Sequence, residues 1–367
     1  MAHRSTPRRA GRSRLPGDLD ALKRKIDGRR VDGTAVGPSA SGCATHLAFP
    51  STIPTPGTTT DVLGPAGPGD LRRGRLRHLT GGTGSPLVLL HTVRTRPTTS
   101  ASLIPLVRDR YTVYALDLPG MGHSEIVPGA SYDEPAMRAA VTSLLTQLDL
   151  YDVTILGESM GAVLALTAAA ELPDRVRRVI AINPYDYAGG IARSSLLARF
   201  IVAGVLAPGV GAGMRGGRDA WGPGCVGAGM RGVQDAWGPG CVGPRIAAVE
   251  PRPIMCAVLR GGLGDRSALR DDYLDELLRV GRRPGYPAVA RAVYGNLPSL
   301  IEARSRHTEV TAPIHLVYGN KDWSRPTDRR ANKELLPAAE FTEIAGAGHF
   351  IALERPDVPA DLLNSLT

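Results

Sequence analysis

Residues 153–166 read Val-Thr-Ile-Leu-Gly-Glu-Ser-Met-Gly-Ala-Val-Leu-Ala-Leu. The apolar run at the beginning predicts a buried strand, and the apolar run at the end predicts a helix. Between them, Gly157, Ser159 and Gly161 form a Gly-x-Ser-x-Gly turn. This arrangement is typical of a nucleophile elbow, in which a strained turn between strand and helix exposes a serine hydroxyl. The alternative is an ordinary Gly-Ser turn, but the flanking strand and helix favour Ser159 as a nucleophile.

The chain has 367 residues and a formal net charge of +9, and nearly all of the positive excess lies in residues 1–80. Residues 1–70 are rich in Arg, Pro, Gly, Thr and Ser and have no apolar periodicity, so we expect a disordered tail. The alternative is a basic arm for a phosphate-rich partner. No aromatic residues alternate with its arginines to stack on bases, so no specific nucleic-acid partner is predicted.

Cysteine content and hydropathy indicate the compartment. The four cysteines form neither a disulfide framework nor a paired metal-ligand spacing, so no metal site is predicted. No stretch reaches the ~18 consecutive apolar residues of a membrane-spanning helix. We therefore expect a cytoplasmic protein without a membrane partner.

Strands alternate with helices over most of the chain. The apolar and alternating runs predict strands at 75–79, 86–91, 111–117, 153–157, 176–182, 314–318 and 340–344, and helices at 99–109, 133–149, 159–171, 327–335 and from about 357. Alternation of this kind implies right-handed crossovers. The predicted fold class is therefore α/β, with a mostly parallel sheet flanked by helices.

The alternation breaks between residues 186 and 308. This segment carries amphipathic patterns at 194–206, 267–280 and 287–304 and has no convincing central strand. An insertion late in a parallel sheet lies above the carboxyl ends of the strands, where ligands bind. We therefore predict a core of residues 71–185 and 309–367, with 186–308 as a helical cap.

The predicted cap contains a tandem repeat. Residues 211–226 and 227–242 are nearly identical, and both match Gly-x-Gly-x-x-Gly. No strand precedes either copy, and a Trp-Gly-Pro-Gly sequence in each blocks the helix that a dinucleotide site requires. A local duplication in a surface loop explains the match better, and no cofactor is predicted.

A serine nucleophile needs a base, which in turn needs an acid to orient it. His349 lies in the small-residue loop Gly346–Phe350, which follows the last predicted strand, whereas His315 falls within a strand and is expected in the core. Asp322 follows strand 314–318, and Asp186 follows strand 176–182, so either could be the acid. The chain order Ser, Asp, His and the clean end of strand 314–318 favour Asp322.

Two backbone N–H groups are needed to stabilise the oxyanion of an acyl-transfer reaction. We expect one from Met160, the residue after the nucleophile, and the other from Val93, in the loop after strand 86–91. Arg94 and Arg96 on this loop could bind a substrate carboxylate, but solvated loop arginines are the simpler interpretation.

These motifs resemble those of α/β-hydrolase-fold serine hydrolases. The elbow, the Gly346–Phe350 loop and the segment Asp117–Ser124, which is similar to the family's Asp-x-Pro-Gly-x-Gly-x-Ser turn, carry the resemblance over about 74–185 and 309–367. The resemblance implies Ser159 as nucleophile. By the same comparison, Asp322 would be the acid, His349 the base, and Met160 and Val93 the oxyanion donors. The chain departs from the family at Thr92, where glycine is common.

The predicted function is hydrolysis of an ester, lactone or thioester of a small organic molecule, with water as second substrate. The resemblance also allows C–C bond hydrolysis or cofactor-free perhydrolysis on the same residues. Serine at position 159 argues against the dehalogenase and epoxide hydrolase branches, where the resemblance implies an aspartate. A catalytically impaired, ligand-binding member of the fold is the alternative of another class, favoured by Thr92 and the repeat.

Overall fold

The computed structural model describes residues 58–63, 74–93, 95, 102–188 and 252–366. In these residues, eight strands form one sheet in the order β1-β2-β4-β3-β5-β6-β7-β8. The strands are β1 Thr58–Leu63, β2 Arg75–Gly82, β3 Ser85–Leu90, β4 Tyr111–Leu116, β5 Val153–Glu158, β6 Val176–Ile182, β7 Ile314–Gly319 and β8 Glu340–Ile344.

Strand direction divides the sheet into two parts. β2 is antiparallel to both β1 and β4, whereas all pairs from β4 through β8 are parallel. Every residue of β5 and of β7 is buried, because central parallel strands are covered by helices on both faces. The carboxyl ends of β3, β5, β6 and β7 therefore meet at one edge, and the loops that follow them share that edge.

Ten α-helices are described in these ranges. They are α1 Ile104–Val107, α2 Glu134–Gln147, α3 Met160–Glu171, α4 Arg252–Gly261, α5 Asp271–Gly281, α6 Tyr286–Gly295, α7 Leu297–Glu302, α8 Pro326–Leu335, α9 Ile351–Glu354 and α10 Asp357–Ser365. The core is split by the sheet into two layers. One includes apolar residues of α2 and α3, and the other includes those of α10.

The predicted fold class is confirmed: the sheet is mostly parallel and flanked by helices. The prediction of a wholly disordered segment 1–70 is wrong at Thr58–Leu63, which pairs antiparallel with Arg75–Gly82. Threonine and valine favour extended backbone, but a strand of six residues gains its stability from the neighbouring ladder. The sequence of the tail alone does not reveal that ladder.

The described part of the predicted cap, from residue 252 onward, is helical up to β7. The helix predicted at 287–304 is divided into α6 and α7, because α6 ends at Gly295 and α7 begins at Leu297, with Pro298 in its first turn. Helix α4 was not predicted. The helix predicted at 194–206 and the repeat at 211–242 lie outside the described residues, and the domain boundaries stay a prediction.

None of the helices in the described part of the chain combines the length and the apolar character that crossing a bilayer requires.

Candidate active site

The turn at Ser159 has the strained geometry that the elbow motif predicts. Ser159 connects β5 to α3 with φ 58° and ψ −114°, a left-handed backbone that a residue with a Cβ rarely adopts. Its N–H donates to the Ile182 carbonyl at 2.8 Å, which ties the turn to the end of β6. This strain is held by the surrounding structure, as is common at functional sites.

Two glycines let the elbow close. A Cβ on Gly157 would lie 2.1 Å from the Gly161 carbonyl oxygen, and a Cβ on Gly161 would lie 2.3 Å from the Leu90 carbonyl oxygen. Both distances are far below van der Waals contact, so any larger residue would push helix and strand apart. The second distance also shows that the start of α3 lies against the end of β3.

Ser159, His349 and Asp322 form one chain of hydrogen bonds. His349 Nε2 is 2.9 Å from Ser159 Oγ, and His349 Nδ1 is 2.5 Å from Asp322 Oδ1. A carboxylate only accepts, so Nδ1 carries the proton and Nε2 is free to accept the hydroxyl proton of Ser159. The side chains of His349 and Asp322 are almost fully enclosed, at 1% and 0% exposure.

The environment of Asp322 keeps its carboxyl ionised. Burial acts to raise its pKa, but the charge and hydrogen bond of His349, together with the hydrogen bonds from Ser324, outweigh burial and lower the pKa. The Ser324 N–H donates to Asp322 Oδ2 at 2.8 Å. One carboxylate oxygen therefore receives the imidazole, and the other is fixed by the backbone of its own loop.

The histidine loop is fixed by a residue that sequence reasoning missed. Asn183, just after β6, donates from Nδ2 to the carbonyls of Gly348 and His349 at 3.0 and 2.9 Å. Its Oδ1 accepts from the Gly319 N–H at 3.0 Å. Asn183 thus joins the ends of β6 and β7 to the loop. Its place directly after a buried strand was the available signal.

Asp186, the competing acid, is not joined to His349. Its two oxygens accept from Asn332 Nδ2 at 2.9 and 2.8 Å, and its nearest imidazole is that of His307, at 3.6 Å. Burial raises the pKa of Asp186 to about 6, against the hydrogen bond from Asn332. A cleft of about 480 Å³ opens beside Asp186 and Asn332, and neither Ser159 nor His349 lines it.

The loop after β3 carries Val93, the second predicted oxyanion donor. The Thr92 carbonyl lies 2.8 Å from His91 Nδ1, and it also accepts from Thr95 N and Thr95 Oγ1, at 3.3 and 3.0 Å. His91 Nε2 in turn accepts from the Leu118 N–H at 3.1 Å. In a trans peptide the C=O and the next N–H point in opposite directions, so these bonds fix the direction of the Val93 N–H.

The structure also bears on two further expectations from the sequence, those for a metal site and for His315. Among the described residues, no group of three or more His, Cys, Asp and Glu side chains is placed to hold a metal ion. His315, expected in the core, is buried within β7 and bonds Thr342 Oγ1 through Nε2 at 2.8 Å.

A profile of the alpha/beta hydrolase family matches residues 87–362, which is most of the chain. The fold, the elbow and the family match agree, and the chain belongs to the alpha/beta hydrolase family. The family match and the names of the relatives support an enzyme of the hydrolase class. The match begins within β3 and ends within α10, so it includes the parallel strands and the segment between β6 and β7 but not β1 or β2.

Two characterised relatives illustrate the range of the family. The chain is 35% identical over 103 residues to the pimeloyl-[acyl-carrier protein] methyl ester esterase of Photobacterium profundum, covering 28% of this chain and 38% of that one. It is 32% identical over 109 residues to the soluble epoxide hydrolase of a Corynebacterium species, covering 30% and 38%. The chain thus matches well under half of the length of these relatives.

Solved structures agree on the fold. A mutant haloalkane dehalogenase from Agrobacterium tumefaciens C58 has a TM-score of 0.66 and 18% identity, over 86% of this chain and 98% of that one. At this identity the likeness concerns the fold and not the reaction.

Proposed function

We propose that this hydrolase cleaves a carboxylic ester, lactone or thioester of a small organic molecule through an acyl-serine intermediate at Ser159. The observation that supports this most strongly is the continuous chain from Ser159 Oγ to His349 Nε2, at 2.9 Å, and from His349 Nδ1 to Asp322 Oδ1, at 2.5 Å. A hydroxyl, an imidazole and a carboxylate in this order are what nucleophilic acyl transfer requires.

In the first half-reaction, Ser159 Oγ attacks the carbonyl carbon of the substrate while its proton passes to His349 Nε2. The C–O or C–S bond to the leaving group then breaks, and Nε2 returns the proton to the leaving oxygen or sulfur. Asp322 stabilises the imidazolium that forms between the two steps. The enzyme is left with an acyl group on Ser159 and a neutral His349.

In the second half-reaction, water is the nucleophile. His349 Nε2 takes one proton from the water as its oxygen attacks the acyl carbon. The bond from that carbon to Ser159 Oγ then breaks, and the proton passes to Oγ. The acid product leaves, and Ser159 is regenerated without any cofactor.

The negative charge on the carbonyl oxygen would be stabilised by the N–H groups of Met160 and Val93. Met160 is the first residue of α3, whose unpaired N–H groups favour negative charge. For Val93, the support is the fixed Thr92 carbonyl on the opposite side of the same peptide unit. Threonine in place of the family's common glycine is therefore compatible with a donor at this position.

The chemistry of Ser159 also separates this chain from some of its relatives. Dehalogenation and epoxide opening need a nucleophile that forms a hydrolysable ester with an alkyl carbon of the substrate, and the family supplies an aspartate for this. An attack by serine on an alkyl carbon would leave a stable ether. Ester, lactone and thioester carbonyls are therefore the substrates that a serine at this position suits.

A panel of p-nitrophenyl esters of increasing acyl length, together with labelling by a fluorophosphonate, tests the proposal. We expect turnover and labelling by the wild type, and a loss of about 10⁴-fold or more in kcat with Ser159→Ala. Ser143→Ala, a serine on α2 away from the elbow, is the matched control and keeps both activities.

The outcomes separate the proposal from its alternatives. Labelling without turnover of any ester would favour a catalytically impaired, ligand-binding member. An absence of wild-type labelling would contradict the assignment of Ser159. C–C bond hydrolysis and perhydrolysis use the same three residues, so β-diketones and peracid formation belong in the same panel.

A further inference from the structure

A turn in the described part of the segment between β6 and β7 lies directly against the loop that carries His349. The turn, Gly262–Asp265, follows α4, and the Gly262 carbonyl accepts the backbone N–H of His349 at 2.5 Å. One residue earlier, the Gly261 carbonyl accepts from Trp323 Nε1 at 3.2 Å. The segment between β6 and β7 thus contacts the loop that carries His349 and, through Trp323, the loop that carries Asp322.

A carboxylate fastens this turn to the same loop. Glu354 Oε2 accepts from the N–H groups of Gly264 and Asp265 at 2.8 and 3.0 Å, and its other oxygen accepts from the Gly348 N–H. Hydrogen bonds to an ionised acceptor are stronger than neutral ones. Because three backbone N–H groups donate to this one carboxylate, Glu354 links the Gly262–Asp265 turn to the loop that carries His349.

The imidazole itself contacts two aromatic rings, which also contact each other. The Trp323 indole is stacked on His349, with centroids 3.9 Å apart and planes 19° apart. Phe350 meets the same imidazole edge-on, with centroids at 5.1 Å and planes at 81°. Because stacking fixes a ring plane, Trp323 sets the plane in which Nδ1 and Nε2 reach their two partners.

Two glycines in this region, Gly262 and Gly348, have no room for a side chain. A Cβ on Gly262 would lie 2.5 Å from a ring carbon of Phe350 and 2.8 Å from one of Trp323. A Cβ on Gly348 would lie 2.3 Å from the Gly262 carbonyl oxygen. Neither glycine has a left-handed backbone. A methyl group at 262 would therefore push on the two rings that hold the imidazole.

We propose that the Gly262–Asp265 turn, with Trp323 and Glu354, positions His349 so that both of its hydrogen bonds form together. These are positioning residues, acting through His349, and the proposal rests on the proposed function of His349 as base. A tilt of the imidazole would lengthen its bonds to Ser159 and Asp322 at the same time. The turn that follows α4 thereby contributes to the orientation of the base.

The test compares Gly262→Ala with Gly295→Ala. Gly295 ends α6 in the same helical segment, and a Cβ there would meet no atom within 4 Å, so this variant is the matched control. The first readout is the downfield proton NMR signal of the His349 Nδ1–H, identified by its absence in Asp322→Asn. The second is kcat and KM for the best ester, with the melting temperature as a check of folding.

We expect Gly262→Ala to lose or broaden the downfield signal and to lose about tenfold or more in kcat, with KM within about threefold, because a small misplacement of a catalytic group lowers kcat. Gly295→Ala keeps the signal and the rate. A Gly262→Ala protein with both intact would overturn the proposal. If the wild type cleaves no ester, the proposed function fails, and the NMR comparison alone decides the positioning.

A second pair of variants covers the case in which Gly262→Ala does not fold. Trp323→Ala removes the stacked ring and is expected to lose the downfield signal, whereas Trp323→Phe keeps a ring and is expected to retain it. If Trp323→Ala retains the signal, or if both variants lose it equally, the aromatic ring does not position the imidazole and the proposal is overturned.

Discussion

In the part of the chain that the structure describes, two buried Asp–His pairs lie at the ends of two neighbouring strands, and their surroundings have opposite effects on the aspartate. Asp322 follows β7 and meets His349 at 2.5 Å, whereas Asp186 follows β6 and has its nearest imidazole, that of His307, at 3.6 Å. The pKa of Asp322 is lowered, and the pKa of Asp186 is raised to about 6. Burial acts to raise the pKa of both carboxyls, and only at Asp322 do the neighbouring charge and hydrogen bonds outweigh burial.

The difference shows that burial beside a histidine does not by itself make an acid–base pair. The second ring nitrogen of His349 has Ser159 as a partner. Neither nitrogen of His307 has a hydrogen-bond partner among the described residues, and burial, aided by the Arg304 charge, lowers the pKa of His307 to about 3. The surroundings of Asp322 favour its ionised carboxylate, whereas those of Asp186 and His307 keep both groups neutral between about pH 3 and 6.

The largest expected effect comes from removing one charge at a time. Asp322→Asn is expected to lower kcat by on the order of 10⁴-fold, because the imidazolium loses its counter-charge and its tautomer is no longer fixed. Asp186→Asn is the matched control, with kcat expected within about threefold of wild type. Steady-state kinetics on one ester decide this, and similar losses in the two variants would contradict the assignment of Asp322.

A smaller effect is expected in the pH dependence of stability. Asp186 binds its proton more tightly when folded, so its contribution to the free energy of unfolding falls as pH rises from 3.8 to about 6. His307 binds its proton less tightly when folded, so its contribution rises from about pH 3 to 6.5. The two slopes oppose each other, and each is at most about 1.4 kcal/mol per pH unit.

Asp186→Asn removes the fall in stability with rising pH that Asp186 causes, and it leaves the rise that His307 causes. Its urea midpoint is therefore expected to rise between pH 4 and 6, relative to that of the wild type, and His307→Gln is expected to show the reverse. Urea unfolding followed by circular dichroism at several pH values measures both. Curves for Asp186→Asn that run parallel to the wild type would contradict a protonated Asp186 in the folded state.

The smallest effect on activity is expected at a third buried carboxyl, that of Glu158, the residue before Ser159 in the chain. Burial raises the pKa of Glu158 to about 8, and its Oε1 accepts from the Ala352 N–H at 3.0 Å. Glu158→Gln keeps the acceptor and stays neutral, so kcat at pH 7 is expected within about threefold of wild type.

Stability supplies the second readout for Glu158. The folded state holds its proton between pH 4.5 and about 8, so the wild type loses stability as pH rises through this window. Glu158→Gln is expected to lose that slope in urea titrations. If it instead lowers kcat as far as Asp322→Asn does, Glu158 acts as an ionised partner of the site.

Much of the fold was predictable because its signals are local. The apolar run 153–156, the Gly-x-Ser-x-Gly turn and the apolar helix after it lie within one short stretch, and the structure has them in that order. The strands that flank them are equally continuous in sequence. Thr58–Leu63 was missed because its stability comes from pairing with β2, which no property of the segment itself reveals.

In the candidate site, the three side chains that we assign to the reaction were predictable from the sequence. Ser159, Asp322 and His349 each follow a strand on a loop, and parallel strands bring such loops to one edge. The supporting contacts were not predictable. Asn183 donates to, and Glu354 accepts from, backbone groups that are distant in sequence. The role of Gly262 depends on two aromatic rings that only the folded chain brings near it.

The most direct test of the central claim is the mass of a trapped acyl-enzyme. A slowly deacylating ester is mixed with the protein, the reaction is quenched in acid, and the protein is digested for mass spectrometry. The account predicts an increase equal to the acyl group on the peptide that contains Ser159, accumulating far more slowly in Asp322→Asn and at the wild-type rate in Asp186→Asn. An acyl group on another residue, or turnover with no acylated peptide at any time, would contradict it.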